Sequence, residues 1–240
     1  MYFSTSWDDN CTENEILANL LSKFNIPSTF YLDQPRINRS LVKEISKDFD
    51  IGAHTLNHPY LSKLNIKEQK KEIKESKDQL EELCQLSVKL FAYPYGDYND
   101  DSVSIVEDCG FEFARTTKSH EFNFTKVEKY KMPVSIIFSP TKFERDKTLK
   151  SFFNVYKNRR NLSKRFSIPI YNIPYCSKTI IDIINNNSED IDYFHLWGHA
   201  WQIEKFNYWS SLKRLFQIIK SNKNIIPINN YELFHIFNKS

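Results

Sequence analysis

The stretch Tyr2-Phe3-Ser4-Thr5-Ser6-Trp7, followed by Asp8-Asp9 and then Thr12-Glu13-Asn14-Glu15, decides the fold. Tyr2 to Trp7 alternates as a strand does. Thr12 to Glu15 has the spacing of a capping box, and Ile16, Leu17, Leu20, Leu21 and Phe24 recur at helical intervals behind it. Pro27 ends that helix. Ser28 to Leu32, β-branched and aromatic, reads as a second strand; a helix near Ser40 to Lys47 follows, then Ile51-Gly52-Ala53 as a third strand. Further on, Asn65 to Leu86 is highly charged, yet Ile66, Ile73, Leu80 and Leu83 hold a helical stripe, so the charges read as a solvated face. Strands are predicted at Lys89 to Tyr93, Phe111 to Thr116, Met132 to Phe138, Ile191 to Trp197 and Ile225 to Pro227. Helices are predicted at Asp100 to Asp108, residues 141–165, Ser177 to Asn186, Tyr208 to Lys220 and Tyr231 to Phe237. Parallel neighbours need crossover connections, so this alternation predicts an α/β fold: a distorted barrel of parallel strands with surrounding helices.

The 240 residues suit a single barrel domain over 1–240, and no Pro/Gly/Ser linker divides them. A chain 40% hydrophobic and 26% charged buries a substantial core, which excludes disordered and fibrous classes. The net charge of +3 reads as spread along the chain, predicting no nucleic-acid or acidic-membrane partner. No run approaches the roughly 18 apolar residues of a spanning helix, and Met1-Tyr2-Phe3 gives way at once to polar residues, so neither anchor nor signal peptide is expected. Cys11, Cys84, Cys109 and Cys176 form no Cys-x-x-Cys pair; free thiols and a cytoplasmic location are expected.

A parallel barrel gathers its functional residues just after its strands. Asp8-Asp9 follows the first strand, His54-Thr55-Leu56-Asn57-His58 the third, Tyr93-Pro94-Tyr95-Gly96 the fourth, and His195-Leu196-Trp197-Gly198-His199 ends a late strand. His54 and His58, four apart, point to one side in a first helical turn, where two imidazoles can hold a divalent metal with Asp9 as oxygen ligand; the same spacing also suits two surface histidines. Two histidines and one carboxylate leave open positions, as hydrolytic zinc and non-haem iron sites require. Asp8 is placed to receive a proton, although adjacent aspartates also cap helices. Tyr95 is either an ordinary turn aromatic or a backbone N–H donor to an oxyanion. His199 is either a hydrogen-bonded loop histidine or a proton donor to a departing amine. For Trp197, Trp201, Tyr93 and Tyr95, core packing is the cheaper reading than sugar stacking.

At these residues the chain resembles the polysaccharide deacetylase family, carbohydrate esterase family four, whose catalytic domain is a distorted barrel. Ser6-Trp7-Asp8-Asp9-Asn10 resembles its first motif, implying Asp8 as general base and Asp9 as metal ligand. His54-Thr55-Leu56-Asn57-His58 is similar to its metal-binding motif, Phe91 to Gly96 to the groove-lining motif with the Tyr95 amide as oxyanion donor, and Leu196-Trp197-Gly198-His199 to the last, with His199 as general acid. Two departures stand out. Ala92 occupies the place of an arginine that orients the catalytic aspartate, and we expect Arg115, at the end of the next strand, to reach Asp8 instead. Asn10 replaces a glycine, which a left-handed backbone tolerates.

The resemblance implies zinc-assisted hydrolysis of an N-acetylated carbohydrate, releasing acetate and a free amine. Rival readings are an amidase or deformylase acting on a lipid-linked amino sugar or small amide, and a non-catalytic carbohydrate-binding homologue.

Overall fold

The computed structural model describes residues 1–33, 38–124, 128–187 and 190–238. In chain order the elements are β1 (Tyr2–Asp8), α1 (Asn14–Phe24), β2 (Ser28–Leu32), α2 (Arg39–Ile45), β3 (Asp50–Ala53), α3 (Ile66–Cys84), β4 (Leu90–Ala92), α4 (Asp100–Asp108) and β5 (Phe113–Arg115). They continue as β6 (Ile136–Ile137), α5 (Lys142–Asp146), α6 (Leu149–Arg165), α7 (Cys176–Asn187), β7 (Tyr193–Gly198), α8 (Ala200–Lys205), α9 (Trp209–Ser221), β8 (Ile226–Pro227) and α10 (Asn230–Phe237).

The strands pair in the order β5-β4-β3-β2-β1-β7-β6, with β8 also on β1, and every pairing is parallel. The segment from Met132 to Phe138, expected as one strand, is shared between the two ends of this sheet. Met132 exchanges backbone hydrogen bonds with Ala114 and Thr116 beside β5, while Ser135 and Phe138 donate to the His195 and Trp197 carbonyls of β7. A single extended segment thus joins the sheet's edges and closes a distorted barrel. The predicted architecture is the observed one, and all strands present their carboxyl ends on the same side.

Alternation along β1 sends Phe3 and Trp7 to an outer cluster under the helices. An inner cluster contains Tyr31, Leu90, Ala92, Phe113 and Tyr193, and α10 packs into it through Leu233, Phe234 and Phe237. The bore also holds a buried polar set: Ser6 Oγ lies 2.9 Å from His195 Nε2, and Asn230 Nδ2 donates to the Tyr31 hydroxyl at 3.2 Å.

Several local readings need correction. Helix α1 starts at Asn14 with no side-chain cap from Thr12, and Ile16 is exposed because the buried stripe runs through Leu17, Leu21 and Phe24. The region 141–165 is two helices, broken at Lys147, which takes a left-handed backbone. Helix α8 was not anticipated; it is only six residues long.

Candidate active site

Two carboxyl-end loops, after β1 and after β3, bring Asp9, His54 and His58 together, with one ligand atom from each lying within 4.8 Å of the others. The His54 and His58 Nε2 atoms are 3.1 Å apart, and Asp9 Oδ1 lies 4.0 and 3.5 Å from them. A carbonyl only accepts, so the 2.7 Å contact from His54 Nδ1 to the Ala92 carbonyl places the proton on Nδ1 and leaves the Nε2 lone pair facing the cluster. Burial is the largest influence on His54 and lowers its pKa, with the neighbouring His58 and Arg115 acting the same way against Asp8 and Asp9. Two imidazole nitrogens and a carboxylate oxygen gathered at one point form a donor set that fits a divalent cation.

The local backbone differs from expectation. His54 to His58 is a loop, not a helical turn: Thr55 and His58 are left-handed, with φ of 65° and 52°, and the Thr55 hydroxyl accepts the His58 N–H at 3.0 Å. Glu72 of α3 holds this loop by accepting the N–H groups of Leu56 and Asn57, so one charge of the presumed solvated face has a positioning task. Asp9 itself, at φ 71°, carries the left-handed conformation expected of Asn10. The Asn10 N–H donates to Asp33 Oδ1 at 2.9 Å.

Asp8 is buried beside the cluster, and Arg115 Nη2 donates to its Oδ1. Ala92 and Arg115 are direct partners across β4 and β5, so this arginine occupies the same barrel layer one strand away. Its guanidinium lies 4.9 Å from the Tyr31 ring and 5.2 Å from the Trp197 ring, and Nη1 donates to the Thr116 carbonyl at 3.3 Å. Burial raises the Asp8 pKa, but the charges of Arg115, His54 and His199 with the arginine hydrogen bond outweigh it, and the carboxyl lies below its ordinary range.

These groups open into a cleft of about 810 Å³ that also contains Tyr95, His199 and Trp201. Tyr95 is left-handed, its ring stacked on Tyr60 at 4.1 Å and edge-on to His58 at 4.5 Å, which buttresses that imidazole. Gly96 follows at φ 70°, where a Cβ would fall 2.1 Å from the Thr117 hydroxyl oxygen, so only glycine fits this turn. His199 precedes α8, flanked by Trp197 and Trp201, each 5.6 Å away, and its buried Nδ1 has no hydrogen-bond partner among the described residues.

Two contributors escaped the sequence reading. The Trp201 indole N–H donates to Asp9 Oδ2 at 2.8 Å, leaving Oδ1 toward the histidines; its aromaticity had pointed to packing. Asp33, after β2, faces the cleft and had no motif to mark it. His195, counted among the loop histidines, lies inside β7 and faces the bore, where burial first, then Arg115, lowers its pKa to about 3.

The barrel of parallel strands with surrounding helices is the fold of solved family 4 carbohydrate esterases. Solved members superpose along nearly the whole chain. A Streptomyces lividans family 4 carbohydrate esterase in complex with acetate has a TM-score of 0.58 at 16% identity, covering 93% of this chain and 90% of that one. A Clostridium thermocellum family 4 acetyl xylan esterase in complex with a cobalt ion has a TM-score of 0.63 at 12% identity, covering 98% and 91%. Residues 3–114, just under half of the chain, match the polysaccharide deacetylase family model, the family that the sequence motifs resemble. The peptidoglycan-N-acetylmuramic acid deacetylase PdaC of Bacillus subtilis is 30% identical over 93 residues, 38% of this chain and 20% of that protein. The curated relatives are matched over a fifth to under half of their own length.

Proposed function

We propose that residues 1–240 form one catalytic domain that removes an N-acetyl group from an amino sugar in a polysaccharide or glycan precursor. The observation that carries this reading is the convergence of Asp9, His54 and His58 beside a buried, arginine-paired Asp8 in one cleft. Asp9, His54 and His58 would hold a divalent cation, for which zinc is the natural choice. When bound, that ion supplies Lewis-acid polarisation of a carbonyl oxygen and acidification of water. Asp8 takes the proton of the attacking water; its depressed pKa keeps it ionised and able to accept. Arg115 fixes the Asp8 carboxylate, and Trp201 fixes Asp9. The Tyr95 N–H serves the developing oxyanion, and His199 protonates the departing nitrogen so that an amine leaves.

Among the described residues, no helix is long and apolar enough to cross a membrane. The four free cysteines support a reducing compartment, the cytoplasm.

The test pairs metal analysis with acetate and formate release from N-acetylated and N-formylated amino sugars. Asp8→Asn is expected to retain metal and lose turnover, whereas His54→Ala loses metal. Equal metal loss in both variants refutes these assignments. Formate release alone makes the chain a deformylase, and sugar binding without product by metal-loaded protein makes it a non-catalytic homologue.

A further inference from the structure

The acetamide site is one end of a longer depression. Trp201 and Gln202 line the catalytic cleft and also an adjoining groove of about 460 Å³. The rest of that groove is walled by α5, α6 and the end of α8, and its ionisable side chains, Lys142, Arg145, Arg159 and Lys205, are all cationic. The segment from Lys142 to Arg165 holds nine Lys or Arg against two acids in a chain of net charge +3, so the remainder is net negative. The even spread of charge expected from composition is therefore corrected.

Neither acid of that segment lines the groove; both are held by neutral hydrogen-bond donors, and Asp146 also attracts Lys142. Glu144 accepts the N–H groups of Thr141 and Cys176 and the Tyr208 hydroxyl. Asp146 accepts the Thr148 N–H and the Ser151 hydroxyl. Among the described residues, none of the four groove cations forms an ion pair. Arg145 and Lys205 gather around a single ring, 5.5 and 5.7 Å from the Phe206 centroid, a like-charge arrangement that an anion relieves. At the junction with the cleft, Gln202 Oε1 is buried and unpartnered among the described residues. Trp201, whose indole touches Asp9, and Lys205 stand one turn apart on α8, roughly 6 Å along its axis, about the length of one sugar ring.

We propose that this groove is a subsite for an anionic group, a phosphate or carboxylate carried by the substrate next to its acetamido sugar. The substrate is then a negatively charged glycan or a glycosyl phosphate. This rests on the deacetylase reading of the adjoining cleft and narrows its substrate class.

Calorimetric titration of the full chain tests it with three probes: N-acetylglucosamine 1-phosphate, an N-acetylglucosaminyl-glucuronic acid disaccharide, and neutral methyl N-acetylglucosaminide. At least one anionic probe is expected to bind about tenfold or more tightly than the neutral one, an advantage that shrinks with added salt. Which anionic probe binds better identifies phosphate or carboxylate as the recognised group. Arg145→Gln and Lys205→Gln, both at exposed positions where the fold tolerates change, are expected to remove most of the anionic-to-neutral preference, and Lys205→Arg to keep it. Equal affinities for anionic and neutral probes, no binding of either anion, or an Arg145→Gln/Lys205→Gln protein that keeps the wild-type preference would overturn the proposal. Binding is read without turnover, so a chain that binds the anionic probe through these residues but releases no acetate refutes the deacetylase reading and leaves the subsite standing.

Discussion

Arg115→Met keeps most of the side chain's length and removes its charge, leaving the Asp8 carboxylate buried without its main partner. Removing one member of a buried ion pair costs about 3–5 kcal/mol, because the remaining charge keeps its desolvation penalty. The lost hydrogen bond to the Thr116 carbonyl and the contacts with the Tyr31 and Trp197 rings add to this. Against a typical domain stability of about 5–15 kcal/mol, the variant should remain folded with a much lower urea midpoint. Asp8→Asn alone also destabilises, since it leaves the guanidinium facing a neutral amide. The double variant removes both charges, so its loss should fall short of the sum of the single losses by about 2 kcal/mol or more. Urea denaturation of the wild type and the three variants at pH 7, analysed as a cycle, measures that difference. A coupling below about 0.5 kcal/mol would show that Arg115 and Asp8 do not depend on one another, and the positioning argument would fail.

Trp201→Phe should weaken zinc binding by roughly 10–100-fold by freeing Asp9 Oδ2, as read by competition against a chromophoric chelator; unchanged affinity would remove the indole from the site's support. His195 stays neutral in the fold down to about pH 3, whereas unfolded histidine takes a proton below about 6.5. The unfolded state then binds more protons, so stability is lost as pH drops from about 6.5 towards 3, by up to about 1.4 kcal/mol per pH unit from this residue; His195→Asn should flatten the slope of the urea midpoint against pH. Gly110→Ala, at φ 75° with open space around it, should cost about 1 kcal/mol, and Gly96→Ala clearly more because its methyl also strikes Thr117. Thermal melts that rank the two the other way would contradict the packing described for the Tyr95 turn.

The strand-helix alternation was legible because burial imposes it: Tyr2–Asp8 and Ser28–Leu32 are strands where their patterns place them. Arg115 could be linked to Asp8 because it ends a strand beside Ala92, and in a barrel cross-strand partners face the same interior. The rest was set by tertiary context. Nothing local distinguishes Asp9 from Asn10 as the left-handed residue, since aspartate and asparagine share that tolerance. The double allegiance of Met132 and Ile136 depends on the distance between β5 and β7, which the order of residues does not encode. Glu72 looked like any exposed helical charge until the His54 loop folded over it. Helix α8 is too short to establish a periodicity, and Trp201 was obscured with it.

The packing of α10 inside the barrel also bears on how the chain acquires its structure. The inward side chains of β2, β4 and β5 find their apolar cover in residues beyond Arg115, from Met132 and Tyr193 to Leu233, Phe234 and Phe237 of α10, and the Asn230–Tyr31 bond spans 199 residues. Closing so wide a loop is entropically demanding and favours slow, late consolidation. The family-matching segment 3–114 is therefore not a self-sufficient folding unit: synthesised alone, it would leave its concave side greasy and open to association.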